Sequence, residues 1–391
     1  MNEKVLVTGG AGFIGSHIVD ALLHSGNAVC VLDNLEPQVH GNLREEGKKP
    51  SYLNNEADFI LGDIRDESTV KHALEGIDVV FHEAAMVGVG QSMYEIDRYT
   101  SVNTLGAAVL LQAIVNMKQR PRKLIVASSM SIYGEGAYEC PVHQKVYPKL
   151  RENDQLQRRD WEMYCPVEGC NHRVTPCPTD EDKPLFPTSI YAINKRDHEE
   201  MFMAIGRAYN IPVVALRYFN VYGTRQALSN PYTGVVAIFS SRLLNGRSPV
   251  INEDGKQSRD FVHVRDVVQA NLLVMEKDEA NYRTFNVGTG RSISILDVAK
   301  TLVNHYKDLP GNQTERSSRS LPAELEVSGS FRAGDIRHCF PDVYRLKALG
   351  YIPEIRFEEG LSDLEQWLIE QTPRDNYDQA RQELIRRGLT S

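Results

Sequence analysis

Residues 5–15 read Val5-Leu6-Val7-Thr8-Gly9-Gly10-Ala11-Gly12-Phe13-Ile14-Gly15, a short apolar run that passes directly into closely spaced glycines. Gly10, Gly12 and Gly15 fit the spacing G-x-G-x-x-G, and Gly9, Gly12 and Gly15 fit the related G-x-x-G-x-x-G. Positions without a Cβ let a chain turn sharply from strand to helix and pass close to a diphosphate. The anion then meets the positive end of the helix beginning near Phe13. A glycine pattern alone is a weak signal. Here it follows a strand, precedes the amphipathic stretch Ser16–His24, and is answered by Asp33 at the end of the second strand. A carboxylate there accepts hydrogen bonds from adenosine ribose hydroxyls and repels a 2′-phosphate. The next residues are Asn34 and Leu35, not Arg, so the cofactor reading is NAD and not NADP. Asp63, in Gly62-Asp63-Ile64, suits either a contact to adenine or a cap on the helix that follows.

Outward from this turn, strand candidates Val5–Thr8, Ala28–Leu32, Asp58–Leu61, Val79–His82 and Lys123–Ala127 alternate with helical stretches such as Asn103–Met117. The rhythm predicts an α/β protein with a Rossmann-type, doubly wound parallel sheet, whose ligand lies at the carboxyl ends of its strands. The nucleotide-binding domain is assigned to residues 1–222, with a Cys-rich insertion over 137–183 and a returning strand over 284–287. A smaller C-terminal substrate domain is assigned to 223–391. Within these bounds a long helix starts near Thr188, a strand covers Val213–Arg217, Leu309–Ser330 reads as a polar loop, and the tail beyond Pro373 as weakly helical.

Composition narrows the function classes. The 391 residues carry a net charge of −8 without a basic stripe, so no nucleic-acid or anionic-membrane partner is expected. Met1–Lys4 leads straight into an apolar strand, without the pattern of a secretory signal. No run approaches the ~18 apolar residues of a membrane span. Six cysteines spread over this length do not form a small disulfide scaffold, and a cytoplasmic location is expected. The tripeptide Asn312-Gln313-Thr314 matches a glycosylation acceptor that such a location would leave unused.

Two further segments carry chemistry. Tyr191 and Lys195, in Ser189-Ile190-Tyr191-Ala192-Ile193-Asn194-Lys195, lie four residues apart on one helix face. A neighbouring ammonium favours the phenolate of a tyrosine that is otherwise a poor base at neutral pH. The fifth strand ends in Ser128-Ser129-Met130-Ser131-Ile132-Tyr133-Gly134, which brings hydroxyls to the carboxyl edge of the sheet. The glycine turn, Asp33, the serines and the Tyr/Lys pair are informative jointly; Tyr-x-x-x-Lys alone is common on ordinary helices.

With these motifs the chain resembles the extended short-chain dehydrogenase/reductases, and among them the nucleotide-sugar epimerases and dehydratases. The resemblance runs through Thr8–Gly15, Asp33-Asn34, Asp63-Ile64, His82–Ala85, Asn103, Ser128–Gly134, Tyr191–Lys195, Leu216–Gly223, Arg259–Asp266, Asn286–Gly290 and Arg332–Asp335. It implies a homodimer, with the helices after Asp97 and Ser189 as contacts, and NAD bound against Gly9, Gly12, Phe13, Ile14, Gly15, Asp33, Asn34, Asp63, Ile64, Ala84, Ala85, Asn103 and Ser128. By the same resemblance Tyr191 exchanges a proton with a sugar hydroxyl, Lys195 holds the nicotinamide ribose, and Ser129 binds the reacting oxygen. Tyr218 is implied on the nicotinamide side. Ser131, Asn220, Arg259, Arg332 and Asp335 are implied contacts of a nucleotide-diphosphate sugar. Dehydratases of the family carry Asp-Glu after the catalytic hydroxyl residue, and decarboxylases keep the Glu; this chain has Met130 and Ser131 there.

Neither residue can act as a carboxylate acid or base, which favours epimerisation at C4 through a 4-keto sugar. The insertion and Ala227–Gly234 resemble a subgroup acting on dTDP-6-deoxyhexoses such as dTDP-L-rhamnose, with UDP-hexoses and UDP-hexuronates as alternatives. Rival readings are a dehydratase, decarboxylase or reductase of the same family and a non-catalytic NAD-binding regulator. In the insertion, Cys140-Pro141-Val142-His143 and Cys165-Pro166-Val167-Glu168-Gly169-Cys170, with Cys177 beyond, offer donors for a tetrahedral structural zinc. The gap between Cys165 and Cys170 exceeds the usual two-residue knuckle, and the reading assigns no metal while leaving these five residues open as ligands.

Overall fold

The computed structural model describes residues 3–307, 325–332 and 334–390. Strands β1 (Lys4–Thr8), β2 (Ala28–Asp33), β3 (Asp58–Leu61), β4 (Val79–His82) and β5 (Lys123–Ser129) belong to one parallel sheet. The insertion then forms a three-stranded antiparallel sheet of β6 (Ala137–Cys140), β7 (Gln144–Val146) and β8 (Thr175–Cys177). The chain rejoins the main sheet at β9 (Val213–Tyr218). Short strands β10 (Asn220–Tyr222), β11 (Val250–Ile251), β12 (Ser258–Arg259) and β13 (Phe261–His263) lead on to β14 (Arg283–Val287). The seven-stranded order is β14-β9-β5-β4-β1-β2-β3.

Period-two alternation distributes the strand residues between two cores. Val5, Val7, Val29 and Val31 pack with Ile18, Val19 and Leu22 of helix Phe13–His24 and with Val267, Ala270 and Val274 of helix Val264–Glu276. Leu6, Cys30 and Leu32 face the other way, onto Val70, Leu110, Ile114 and Phe202 of helices Glu67–Ala73, Gly106–Asn116 and Ile190–Tyr209. Burial on both faces is why these strands read as continuous apolar runs. The winding reverses between β1 and β4, and the crevice above their carboxyl ends is where such a sheet binds its ligand.

More of the chain returns to this sheet than the strand expected over 284–287. Helix Val264–Glu276 presents an apolar stripe at helical spacing and shares the first core, together with Val262. A separate core, including Phe239, Leu302, Leu361 and Leu364, holds the helices Val235–Leu244, Ile295–Lys307 and Phe357–Ile369. The insertion showed no periodicity because its strands are only three or four residues long. Of the segment read as a loop, residues up to 324 lie outside the described residues, as does Asn312-Gln313-Thr314, while Glu326–Val327 pairs with β11. The tail contains the helix Tyr377–Arg386, which buries Tyr377, Ala380 and Leu384 and is tied down by Arg242, 2.8 Å from Asp378. Among the described residues no helix is long and apolar enough to cross a membrane.

Candidate active site

A cavity of about 440 Å³ runs over the carboxyl ends of the sheet, from Asp33 and Ile64 at one end to Tyr191, Lys195 and Tyr218 at the other. Gly9, Gly12, Phe13, Ile14 and Gly15 line its floor. Gly9 has φ +71°, and a Cβ there would lie 2.7 Å from the Ala84 backbone; a Cβ on Gly15 would lie 2.3 Å from the Gly9 carbonyl oxygen. These two glycines close the turn, whereas Gly12 faces the cavity. No side chain caps the helix that starts at Phe13, so its first N–H groups remain available to an anion.

Asp33 sits beside them with its carboxylate fixed by the Ala11 N–H (3.0 Å) and the Leu35 N–H (2.9 Å). Each oxygen keeps a second acceptor direction, which suits vicinal ribose hydroxyls. Burial raises the pKa of this carboxyl, while nearby His40 and the backbone donors oppose the rise. The open helix terminus, the glycine floor and the anchored carboxylate fit a dinucleotide.

At the opposite end, Ser189 caps the helix Ile190–Tyr209 by accepting from the Ala192 N–H (3.1 Å) and so aims Tyr191 across the end of β5. Burial pushes the Tyr191 phenol up to about 12, against a hydrogen bond from Ser129 that pulls it down. Ser129 Oγ itself accepts from the Ser131 N–H (3.2 Å) and the Ser131 hydroxyl (2.9 Å). With its acceptor side engaged twice, Ser129 has its hydrogen free for Tyr191 or a substrate oxygen.

Lys195 departs from the expectation drawn from its spacing. Its ammonium donates to the Ala127 carbonyl (2.8 Å), and Ser129, not Lys195, is the group that lowers Tyr191. The long lysine stem carries the charge to the strand end, into a pocket with Glu83. Burial brings Lys195 down to about 8, opposed by the Glu83 carboxylate, and pushes Glu83 up to about 7, opposed by the Tyr218 hydroxyl. Tyr218 donates to Glu83 at 2.9 Å and accepts from the Asn271 amide at 2.8 Å, leaving mainly its ring to the cavity.

The remaining expected residues divide. Asn34, Ala84, Ala85, Ser128, Ser131 and Asn220 line the cavity. The Ser128 hydroxyl, however, is given to Glu199 (2.8 Å), and the Asn220 side-chain oxygen is buried without a protein partner. Asp63 lies outside the lining formed by its neighbours Gly62 and Ile64. Its carboxylate is paired with Arg65 (2.7 Å), which holds it down at about 2, and the following helix is capped by Asp66 instead. Asn103 is also outside; its amide bonds the Met86 N–H (2.8 Å) and carbonyl (3.1 Å) and fixes that loop.

Arg259, Arg332 and Asp335 form a second group beyond this cavity. Arg259 donates to the carbonyls of Ser258 (2.8 Å), Ile336 (2.6 Å) and Arg337 (3.0 Å). Burial raises Asp335, while Arg332 and Arg259 pull it down. Thr188 donates to the Gly334 carbonyl (3.1 Å), tying this segment to the start of the Tyr191 helix. Glu83, Gln38, His40 and Asn230 line the cavity without having been singled out by the sequence. Glu83 stood within His82–Ala85, where only the alanines were marked, and Asn230 within Ala227–Gly234, which was read only for its likeness to a subgroup; Gln38 and His40 depend on loops that meet in space, such as Gln38 Nε2 with Asn230 Oδ1 (2.9 Å).

Fold and cavity define a dinucleotide-binding α/β protein, with Tyr191, Ser129 and Lys195 at the end of the cavity away from Asp33. The chain belongs to the NAD dependent epimerase/dehydratase family, whose pattern matches residues 5–153 and 165–288. It is 34% identical over 377 residues to the dTDP-L-rhamnose 4-epimerase of Burkholderia thailandensis, covering 96% of this chain and 97% of that one. The UDP-glucose 4-epimerase of Thermotoga maritima, solved with UDP-glucose, superposes with a TM-score of 0.72 at 31% identity, covering 94% of this chain and 99% of that one. The UDP-glucuronic acid 4-epimerase of Bacillus cereus, solved with UDP-glucuronic acid and NAD, gives a TM-score of 0.70 at 26% identity, covering 94% and 99%. The protein is thus an enzyme of the nucleotide-sugar epimerase/dehydratase class, and its cofactor is NAD.

The Ser129–Ser131 pair yields a graded test. Ser131→Ala removes one of two bonds that orient Ser129 and is expected to slow turnover about fivefold, in line with a net bond of roughly 1 kcal/mol. Ser129→Ala removes the group that lowers Tyr191, so the rising limb of kcat against pH should move to higher pH. A kcat–pH profile of both variants checks this; an unmoved limb in Ser129→Ala contradicts it.

Proposed function

We propose that the enzyme interconverts the 4-epimers of a nucleotide-diphosphate sugar through a 4-keto intermediate. The observation that carries this reading is the composition of the reacting end: a Tyr191–Ser129 proton-transfer pair, with Met130 and Ser131 where eliminating relatives need carboxylates. The carboxylates that do line the cavity are Asp33, Glu36 and Glu83; the first two lie at the end of β2, and Glu83 is engaged by Tyr218.

NAD, when bound, supplies the acceptor and later the donor of the C4 hydrogen. Tyr191 takes the proton of the 4-hydroxyl as the ketone forms and returns it when the alcohol is restored. Ser129 holds the same oxygen throughout, and Lys195 binds the nicotinamide ribose from the end of β5. Arg259, Arg332 and Asp335 hold the nucleotide end while the flat ketone presents its other face. Arginine forks suit a diphosphate, and an acidic protein needs such local cations.

A dTDP-6-deoxyhexose such as dTDP-L-rhamnose is the preferred substrate, supported by the full-length relative at 34% identity. The test is a panel of dTDP-L-rhamnose, UDP-glucose and UDP-glucuronate incubated with the protein and followed by NMR. The expected product is the 4-epimer of dTDP-L-rhamnose. Turnover of a UDP-sugar alone would reassign the substrate, and a dehydrated or decarboxylated product would overturn the reaction.

A further inference from the structure

The insertion brings Cys140, His143, Cys165 and Cys170 together so that their ligand atoms all lie within 4.8 Å of one another. Cys140 Sγ is 3.7 Å from His143 Nδ1 and 3.9 Å from Cys170 Sγ, and Cys165 Sγ is 3.4 Å from His143 Nδ1. A tetrahedral zinc with Zn–S of ~2.3 Å and Zn–N of ~2.0–2.1 Å requires S···S edges of about 3.8 Å and S···N edges of about 3.6 Å. These separations match. The donors come from the β6–β7 hairpin and from the loop around the Tyr164–Arg173 bridge, two segments distant in sequence that meet in the insertion's small core. The Val142 N–H points at Cys140 Sγ (3.5 Å), the kind of donor that supports a metal-bound thiolate.

We propose that these four residues bind a structural zinc ion that holds the insertion together. The physical need is visible in the packing. The insertion's own core consists of Tyr138, Cys140, Val146, Met163, Cys165 and Val174, with Cys170 at its edge. A cluster so small does not stabilise an isolated segment, and small domains of this kind are held by metals or disulfides. Among the described residues all cysteines are unpaired as disulfides. Cys177 is excluded from the ligand set by register: it pairs with Ala137, three residues before Cys140, so its side chain leaves the sheet on the opposite face.

The zinc also bears on the substrate end. Arg151, within the insertion, is bound to Glu253 at 2.8 Å and 2.9 Å, and its guanidinium reaches the Asp335 carbonyl (3.4 Å). A stapled insertion therefore keeps a buried ion pair beside the proposed nucleotide contacts.

The test uses the full chain, produced with added zinc and purified without chelators. Mass spectrometric metal analysis should find about one zinc per chain, released on titration of the thiols with a mercurial. Cys165→Ser should fall below about a tenth of that occupancy, whereas Cys177→Ser should keep it. The mercurial titration reads the wild-type protein and stands even where Cys165→Ser does not fold. A metal-free wild type, iron in place of zinc, a Cys140–Cys170 disulfide, or full zinc in Cys165→Ser would each overturn the proposal.

Discussion

Tyr191→Phe is expected to lower kcat by on the order of 10²–10⁴-fold, the range of a positioned acid/base, while leaving the fold and bound NAD in place. The phenol contributes nothing to the core that the phenylalanine ring does not, since its hydroxyl faces Ser129 at the cavity. KM should change little, because Ser129, Asn220 and the arginine group would still hold the sugar nucleotide. Steady-state kinetics with the substrate identified by the panel, alongside circular dichroism and the cofactor content of the purified variant, checks all three. Retention of more than roughly a tenth of kcat would remove Tyr191 from the proton transfer.

Gly15→Ala should abolish cofactor retention. The new methyl would lie 2.3 Å from the Gly9 oxygen and 2.8 Å from the Gly10 Cα, both backbone atoms that cannot swing aside. Relief requires opening the turn that forms the cavity floor, at a cost of about 3 kcal/mol or more. Placed wholly on binding or wholly on stability, that penalty corresponds to roughly a 100-fold loss of NAD affinity or a fall in Tm of ~4 °C. Calorimetric titration with NAD and a melting curve measure the two shares. Gly12→Ala makes a useful contrast: its Cβ would lie 3.2 Å from the Gly9 oxygen, a much milder approach, so its fall in Tm should be smaller than that of Gly15→Ala.

What the sequence disclosed follows the range of the interactions involved. The turn, Asp33 and the two-faced strands are local, set by missing side chains and period-two packing, and the structure has the expected α/β sheet. Ser129 and Tyr191 are far apart in sequence, and only the resemblance pointed to their pairing; the structure adds why they meet, since the end of β5 adjoins the helix capped by Ser189. Spacing alone misled for Lys195, because sharing a helix face does not say where a long, flexible side chain places its charge. Glu83 escaped notice because its importance comes from burial beside Lys195 and Tyr218, which no local pattern encodes. Cysteine counting likewise could not separate Cys177 from the other donors until strand register was known.

Hydrogen bookkeeping at C4 distinguishes epimerisation by oxidation and re-reduction from every rival reaction. The protein is incubated in deuterium oxide with the nucleotide sugar of the panel that turns over, and the products are followed by NMR and by reduced-nicotinamide absorbance. The account predicts a mixture of two 4-epimers, the original hydrogen retained at C4, and no reduced cofactor beyond the small amount held in the enzyme. Deuterium at C4, loss of water or carbon dioxide, or stoichiometric accumulation of NADH would contradict it.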